Sequence, residues 1–226
     1  MHQRDALARV ADDQRSRLPP VLKVLQCISR LEYCSTKYWH EKKLDALEAL
    51  RTRNATSRLT GSVPETALDN ILNAGLRAPD HALLRPWKIL VVDGESRKRL
   101  GALFAEAKLT VDPNQTSQQL EKLKSKPLRA PVILVVAAKI SEHPKVPEVE
   151  QLLSAGAAAQ NMCVAAHAMG LGAIWRTSDM AYNPIVAKGL GLADNDKIVG
   201  FIYIGEVDGR QKAIPEINLE DHVVHW

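Results

Sequence analysis

Residues 131–138 read Pro-Val-Ile-Leu-Val-Val-Ala-Ala. A strand with one solvated face alternates apolar and polar side chains, and this run does not alternate. It therefore describes a buried central strand. Upstream, Trp87 to Val92 is apolar and rich in β-formers, and Asp93-Gly94 ends it. Ser96 to Lys108 reads as a helix, and the polar stretch from Val111 to Lys126 as a mobile helical excursion. Downstream, Glu148 to Met169 reads as a long helix whose Ser154, Ala155, Gly156, Ala157, Ala158 and Ala159 allow close approach, to a core or to a second subunit. Gly170-Leu171-Gly172 stops it, and Ala173 to Arg176 begins another strand. Asn183-Pro184 sets an N-cap before a proline at the first helical position. Lys197 to Val207 is the last strand, and the tail to Trp226 has no clear period and is free to reach a partner.

Nearer the start, Leu44, Leu47 and Leu50 mark a short helix that ends at the basic cluster Arg51 to Arg58. Ser62-Val63-Pro64-Glu65 reads as a capping box with Ser62 as N-cap and Glu65 closing it. The helix it opens places Leu68, Ile71, Leu72, Gly75 and Leu76 on one face. Helices and strands in this order describe an α+β or α/β layered domain with helices against one sheet. Residues 1–43 differ in character, with irregular Arg and Lys and the pair Pro19-Pro20. They read as a loosely ordered N-terminal extension, with Leu44 as an alternative initiation point and 44–226 as the folded domain.

Composition narrows the function classes. With aromatics at 4%, the core must be built mainly from Ala, Leu, Val and Ile. The net charge of +4 comes without a run of five or six basic residues, so nucleic acid has no local footprint. A positive chain does favour a phosphorylated small ligand. Three cysteines, none in C-x-x-C spacing, indicate free thiols in a reducing compartment, and Cys163 reads as a small hydrophobe. No apolar stretch approaches the ~18 residues of a membrane span, and no secretory signal is apparent, so the expected location is cytoplasmic.

Chemistry concentrates in three places. The Arg51 to Arg58 cluster offers guanidinium forks of the kind that pair with phosphate; its alternative role is a solvated helix end. The stretch Arg77-Ala78-Pro79-Asp80-His81-Ala82-Leu83-Leu84-Arg85-Pro86-Trp87 links a helix to a strand with two prolines that stiffen it. It suits a flat, polar, anionic ligand, or serves as a rigid connector holding a local Arg–Asp pair. Ala173-Ile174-Trp175-Arg176-Thr177-Ser178 sets an aromatic, a cation and two hydroxyls after a glycine turn, or is a strand end with a half-buried Trp. No G-x-G-x-x-G follows a strand, so a Rossmann dinucleotide site is not supported. No P-loop, H-E-x-x-H or G-x-S-x-G is present.

Taken in order, these segments resemble the FMN-dependent nitroreductase family, in particular its compact YdjA-type branch of NAD(P)H nitroreductases. The phrases that carry the resemblance are L-D-A-L-E-A-L with the arginine cluster, A-G-L-R-A-P-D-H-A-L-L-R-P-W, E-V-E-Q-L-L-S-A-G-A-A-A-Q-N-M, M-G-L-G-A-I-W-R-T-S and D-K-I-V-G-F-I-Y-I-G. The resemblance implies an α+β, three-layer α/β/α domain with a central mixed, mainly antiparallel sheet. It also implies a homodimer whose FMN sites are shared between subunits. Arg53, Asn54 and Ala55 match the phosphate-side segment, and Arg58 a cation near flavin N1 and O2. Arg77 and His81 match contacts from the other subunit, and Trp175, Arg176 and Thr177 the first subunit's lining. Where the family reads Arg-Arg-Ser, this chain reads Arg53-Asn54-Ala55, so Ala55 has only its backbone N–H to offer, and Arg51 is a compensating cation. The implied activity takes hydride from NADH or NADPH and reduces a nitroaromatic or quinone-like acceptor by a ping-pong scheme. Another flavin reaction, such as dehalogenation or metabolite dehydrogenation, and a non-enzymatic flavin-binding protein stand as alternatives. No catalytic nucleophile, general base or metal ligand is assigned, and no nucleic-acid or membrane partner is expected.

Overall fold

A computed structural model describes residues 44–210 and 212–226, so the expectations for 1–43 fall outside the described residues. The apolar run becomes strand β3 (Val132–Ala138), buried at every position. It lies between β2 (Trp87–Asp93) and β5 (Lys197–Val207) and is antiparallel to both. Strand β4 (Gly172–Arg176) pairs antiparallel with β5, as does the two-residue β1 (Leu59–Thr60) at Glu206 and Val207. A lone bridge between Ala55 and Ala173 runs parallel. The class is α+β with a mainly antiparallel sheet.

Helices cover both faces. On one side lies the long helix of residues Glu148–Ala168, whose Ala155, Ala158, Ala159, Met162 and Ala166 are fully buried. Numbered in chain order it is α5, after α1 (Ala46–Thr52), α2 (Glu65–Gly75), α3 (Ser96–Val111) and α4 (Ser117–Ser125), and before α6 (Pro184–Gly189). On the other side Leu100, Phe104 and Ala107 of α3 and Val186 of α6 join Ile133, Val135, Phe201 and Tyr203 in one apolar cluster. Phe104 meets Phe201 edge-on, with ring centroids 5.4 Å apart. Ser154, Ala155, Ala158 and Ala159 of α5 thus face the core, and Gly156 and Ala157 are half-buried. Buried Gln151 ties the preceding loop to this helix: its Oε1 accepts from Ser141 N, and its Nε2 donates to Ser141 O and Val146 O.

Two local expectations are corrected. The cap of α2 is Pro64, with no side-chain hydrogen bond, while the Ser62 N–H donates to Glu206 on β5. A side-chain carboxylate from a distant strand has taken the backbone donor that the local pattern assigned to the helix cap. The capping box is instead at Thr116 and Gln119, where the polar excursion resolves into α4. On α2 the buried stripe is Ala67, Ile71 and Gly75, and Leu76 is exposed. Small residues win that face because α5 comes so close that a Cβ on Gly75 would lie 2.7 Å from Met162 Cγ. Asn183 caps α6 as its sequence indicates, accepting from Ile185 N. No described helix is long and apolar enough to cross a membrane.

Gly101 on α3 abuts the main-chain carbonyl of Lys124 on α4, where a Cβ would collide with backbone. Alanine gains up to about 1 kcal/mol in helix propensity, but overpacking against backbone costs about 1–3 kcal/mol. Gly101→Ala is expected to lower the urea midpoint with an unchanged m-value.

Candidate functional site

After α1, the chain turns at Arg53 and runs beside the start of β4, where Ala55 bridges Ala173 and Thr56 N donates to Ala173 O at 3.0 Å. The Asn54 side chain organises this turn. Its Oδ1 accepts from Ala55 N at 2.8 Å, and its Nδ2 donates to the carbonyls of Lys212 and Ala213 at 3.1 and 3.2 Å. The Ala55 N–H expected to serve a ligand here bonds the neighbouring Asn54 side chain. Arg58 pairs with Asp208 Oδ2 through Nε (3.3 Å) and Nη2 (3.0 Å), and Asp208 N donates back to Arg58 O. The guanidinium is thus held by a carboxylate from the tail. Asp208 and Lys212 were missed in the sequence because the tail has no period and only the fold returns it to α1.

Arg53 lies in the electrostatic neighbourhood of Cys163 and His167 on α5. Burial pushes the Cys163 thiol up to about 11, with Arg53 only partly opposing it, so this thiol is an inert packing group. Burial also lowers His167, the Arg53 charge lowers it further, and Glu48 opposes both. Thr52 Oγ1 donates to Glu48 O at 2.6 Å, so at 2.9 Å from His167 Nε2 it must accept, which places the ring hydrogen on Nε2.

On β4, Trp175 is 37% exposed. Its Nε1 donates to Val199 O at 3.2 Å, and a side chain at Gly200 would strike the indole. Arg176 points to the opposite face, its guanidinium 5.9 Å from the centroid of the Tyr203 ring. Adjacent strand residues must diverge in this way, so Trp175 and Arg176 do not line one wall with their side chains. Thr177 follows half-buried, and Ser178 adopts φ 58°, ψ 179°, a region favoured almost only by glycine.

The Arg77–Trp87 loop follows α2. Arg77 is exposed. Asp80 Oδ2 accepts from the Arg85 backbone N at 3.2 Å rather than pairing with a guanidinium, and Asp80 Oδ1 is buried with no partner among the described residues. Ala82, Leu83 and Arg85 all have positive φ, so the strain sits between the prolines that first suggested rigidity. His81 Nδ1 lies 2.7 Å from Oε2 of Glu150, a residue the sequence gave no reason to single out.

One chain thus sets Ala55 beside Ala173 on β4 and Trp175 beside Gly156 in the middle of α5, and holds His81 at the first turn of that helix. Glu150, beside His81, and Cys163, in the field of Arg53, are separated by about 20 Å of helix at 1.5 Å per residue. A cavity of about 730 Å³ is lined by Leu152, Tyr182, Pro184, Lys188, Asp196 and Val199. Another of about 790 Å³ is lined by residues that include Trp87, Lys88, Lys139 and Asn195. None of the nine residues singled out from the sequence lines either.

The pattern of the nitroreductase family matches residues 59–206. The chain is 41% identical over 179 residues to YdjA of Escherichia coli K12, an NAD(P)H nitroreductase by its name, covering 79% of this chain and 96% of that protein. Among solved structures, a nitroreductase-like family protein from Bacillus cereus superposes with a TM-score of 0.68 at 25% identity, covering 80% of this chain and 95% of that one. A nitroreductase with bound FMN from Bacteroides fragilis shares the fold at 19% identity, with a TM-score of 0.62, over 81% of this chain and 100% of its own.

Because His167 holds its proton less tightly when native than when unfolded, its contribution to stability is present above pH 6.5 and is lost as pH falls through its lower native midpoint. NMR titration should place that midpoint below the ordinary value, and Arg53→Ala should raise it. Ser178→Gly is expected to raise stability by about 1 kcal/mol, the relieved strain outweighing the added chain entropy. Thermal melts check this.

Proposed function

This chain belongs to the nitroreductase family, and we propose that it is a homodimeric FMN enzyme that takes hydride from NADH or NADPH and passes two electrons to a nitroaromatic or quinone-like acceptor. The observation that carries the dimeric part is the split of the site. Arg53 and His81 lie near opposite ends of one helix, an arrangement that suits a cofactor met by Arg53 of one chain and His81 of another. The exposed apolar side chains support a second copy: Leu47 and Leu50 on α1, Val149 and Leu153 on α5, and Leu83 beside His81. The tail adds exposed Ile217, Leu219, Val224 and Trp226, which fit a segment that docks on a partner.

The residues suit FMN. Arg53 makes no ion pair among the described residues and supplies the charge that neutralises a phosphate. Asn54 shapes the turn that presents it. Trp175 offers an aromatic face held in place by its own hydrogen bond. Arg77 and His81 of the partner would meet the ring's polar edge, and Arg176 and Thr177 would contribute main-chain contacts. Arg58 is exposed together with Asp208. An exposed pair of that kind is worth at most about 1 kcal/mol, so turning Arg58 toward an anionic ring is cheap. FMN, when bound, supplies the two-electron hydride chemistry. The protein binds and orients, and no side chain need move a proton in the hydride step. We place the enzyme in the cytoplasm, where the free thiol of Cys163 would stay reduced.

Protein reconstituted with FMN should lose its yellow absorption under NADH or NADPH without oxygen. It should turn over nitroaromatics with parallel double-reciprocal lines and run as a dimer in native mass spectrometry. An unbleached flavin band rules out the reading. Arg53→Ala should weaken FMN binding by about 1.5–3 kcal/mol. Unchanged affinity moves the phosphate elsewhere, with Arg51 the first alternative.

A further inference from the structure

The contact between His81 Nδ1 and Glu150 Oε2, 2.7 Å long, has a consequence for what His81 can recognise. An ionised carboxylate only accepts hydrogen bonds, so the hydrogen of this contact belongs to Nδ1. Neutral imidazole has one N–H, which leaves a lone pair on Nε2. The fold explains why Glu150 is available. It occupies the third position of α5, from which a glutamate commonly returns to the backbone N–H of the N-cap. Here the N-cap is Pro147, which has no N–H, so the carboxylate is released to reach across to His81. The first turn of the helix also favours its negative charge. The neighbouring Asp80 does not take this contact: its Oδ2 holds the Arg85 N–H, and its Oδ1 is buried without a partner among the described residues.

We propose that Glu150 is a positioning residue that locks His81 in the Nδ1–H tautomer, so that Nε2 presents a lone pair to an N–H on the pyrimidine edge of a bound ring. The proposal rests on the reading that His81 meets FMN. The oxidised flavin offers one N–H on that edge, N3–H, between two carbonyl acceptors. An imidazole held the other way round would have addressed the carbonyls instead. Glu150 therefore selects which feature of the ring is read, without touching it.

The tautomer can be read directly by long-range ¹⁵N NMR of the apoprotein, with His81 assigned by His81→Gln. The spectra are taken at about pH 9, well above the ordinary imidazole value of about 6.5. Wild type should show a protonated Nδ1 and an unprotonated Nε2. Glu150→Ala should shift His81 toward the Nε2–H form that free histidine favours. Glu150→Gln, whose amide oxygen still accepts, should retain part of the Nδ1–H form. Binding gives a second readout. Wild type should prefer FMN over N3-methyl-FMN by about 2- to 12-fold, the equivalent of one net hydrogen bond of about 0.5–1.5 kcal/mol. Glu150→Ala should bring that ratio toward one. An Nε2–H tautomer in wild type, or one unmoved by Glu150→Ala, overturns the proposal. The expected tautomer in a protein that binds neither flavin supports the Glu150 assignment but sinks the flavin reading, so the two failures are distinguishable.

Discussion

Burial of the alanine face of α5 against the sheet holds every part of the candidate site in place. Ala155, Ala158, Ala159 and Ala166 let the helix axis lie close to β3, β4 and β5. The same closeness forces a glycine onto α2 where Met162 passes. A rigid rod seated so tightly fixes three separate points at once. Its first turn carries Glu150 and so His81, its middle runs beside Trp175 at Gly156, and its last turns carry Cys163 and His167 beside Arg53. The spacing between these points is helix rise, which side-chain motion cannot alter.

The second constraint is electrostatic and lies in the return of the tail. Asp208, Lys212 and Ala213 reach the Arg53–Arg58 segment through two contacts, the Arg58–Asp208 pair and the Asn54 amide. They differ in kind. The ion pair is exposed and yields easily to solvent or to a stronger anion. The amide satisfies two main-chain carbonyls and Ala55 N together, so its geometry sets the turn. One asparagine thus builds this turn from within the chain.

Local chemistry read correctly in places and failed in others for definite reasons. The Asn183 cap followed from its neighbour Pro184 alone, and the apolar run at 132–138 could be little else than a buried strand. The Ser62 box failed because Glu206, far along the chain, took the Ser62 N–H. The stripe on α2 was misread because hydrophobicity favours leucine, whereas close packing there required Ala67 and Gly75. Strand geometry sends the side chains of Trp175 and Arg176 to opposite faces, which the sequence pattern alone does not reveal.

Apolar pattern, turn residues and motif wording determined the helices and strands, the central place of β3, and the family, since these depend on neighbours within a few positions. The direction in which strands pair, the return of the tail to Asn54, and the meeting of His81 with Glu150 depend on residues up to 159 positions apart. A buried strand looks alike in a parallel or an antiparallel sheet, and a glutamate gives no sign of which histidine it will find. Only the packing of α5 on the sheet decided them.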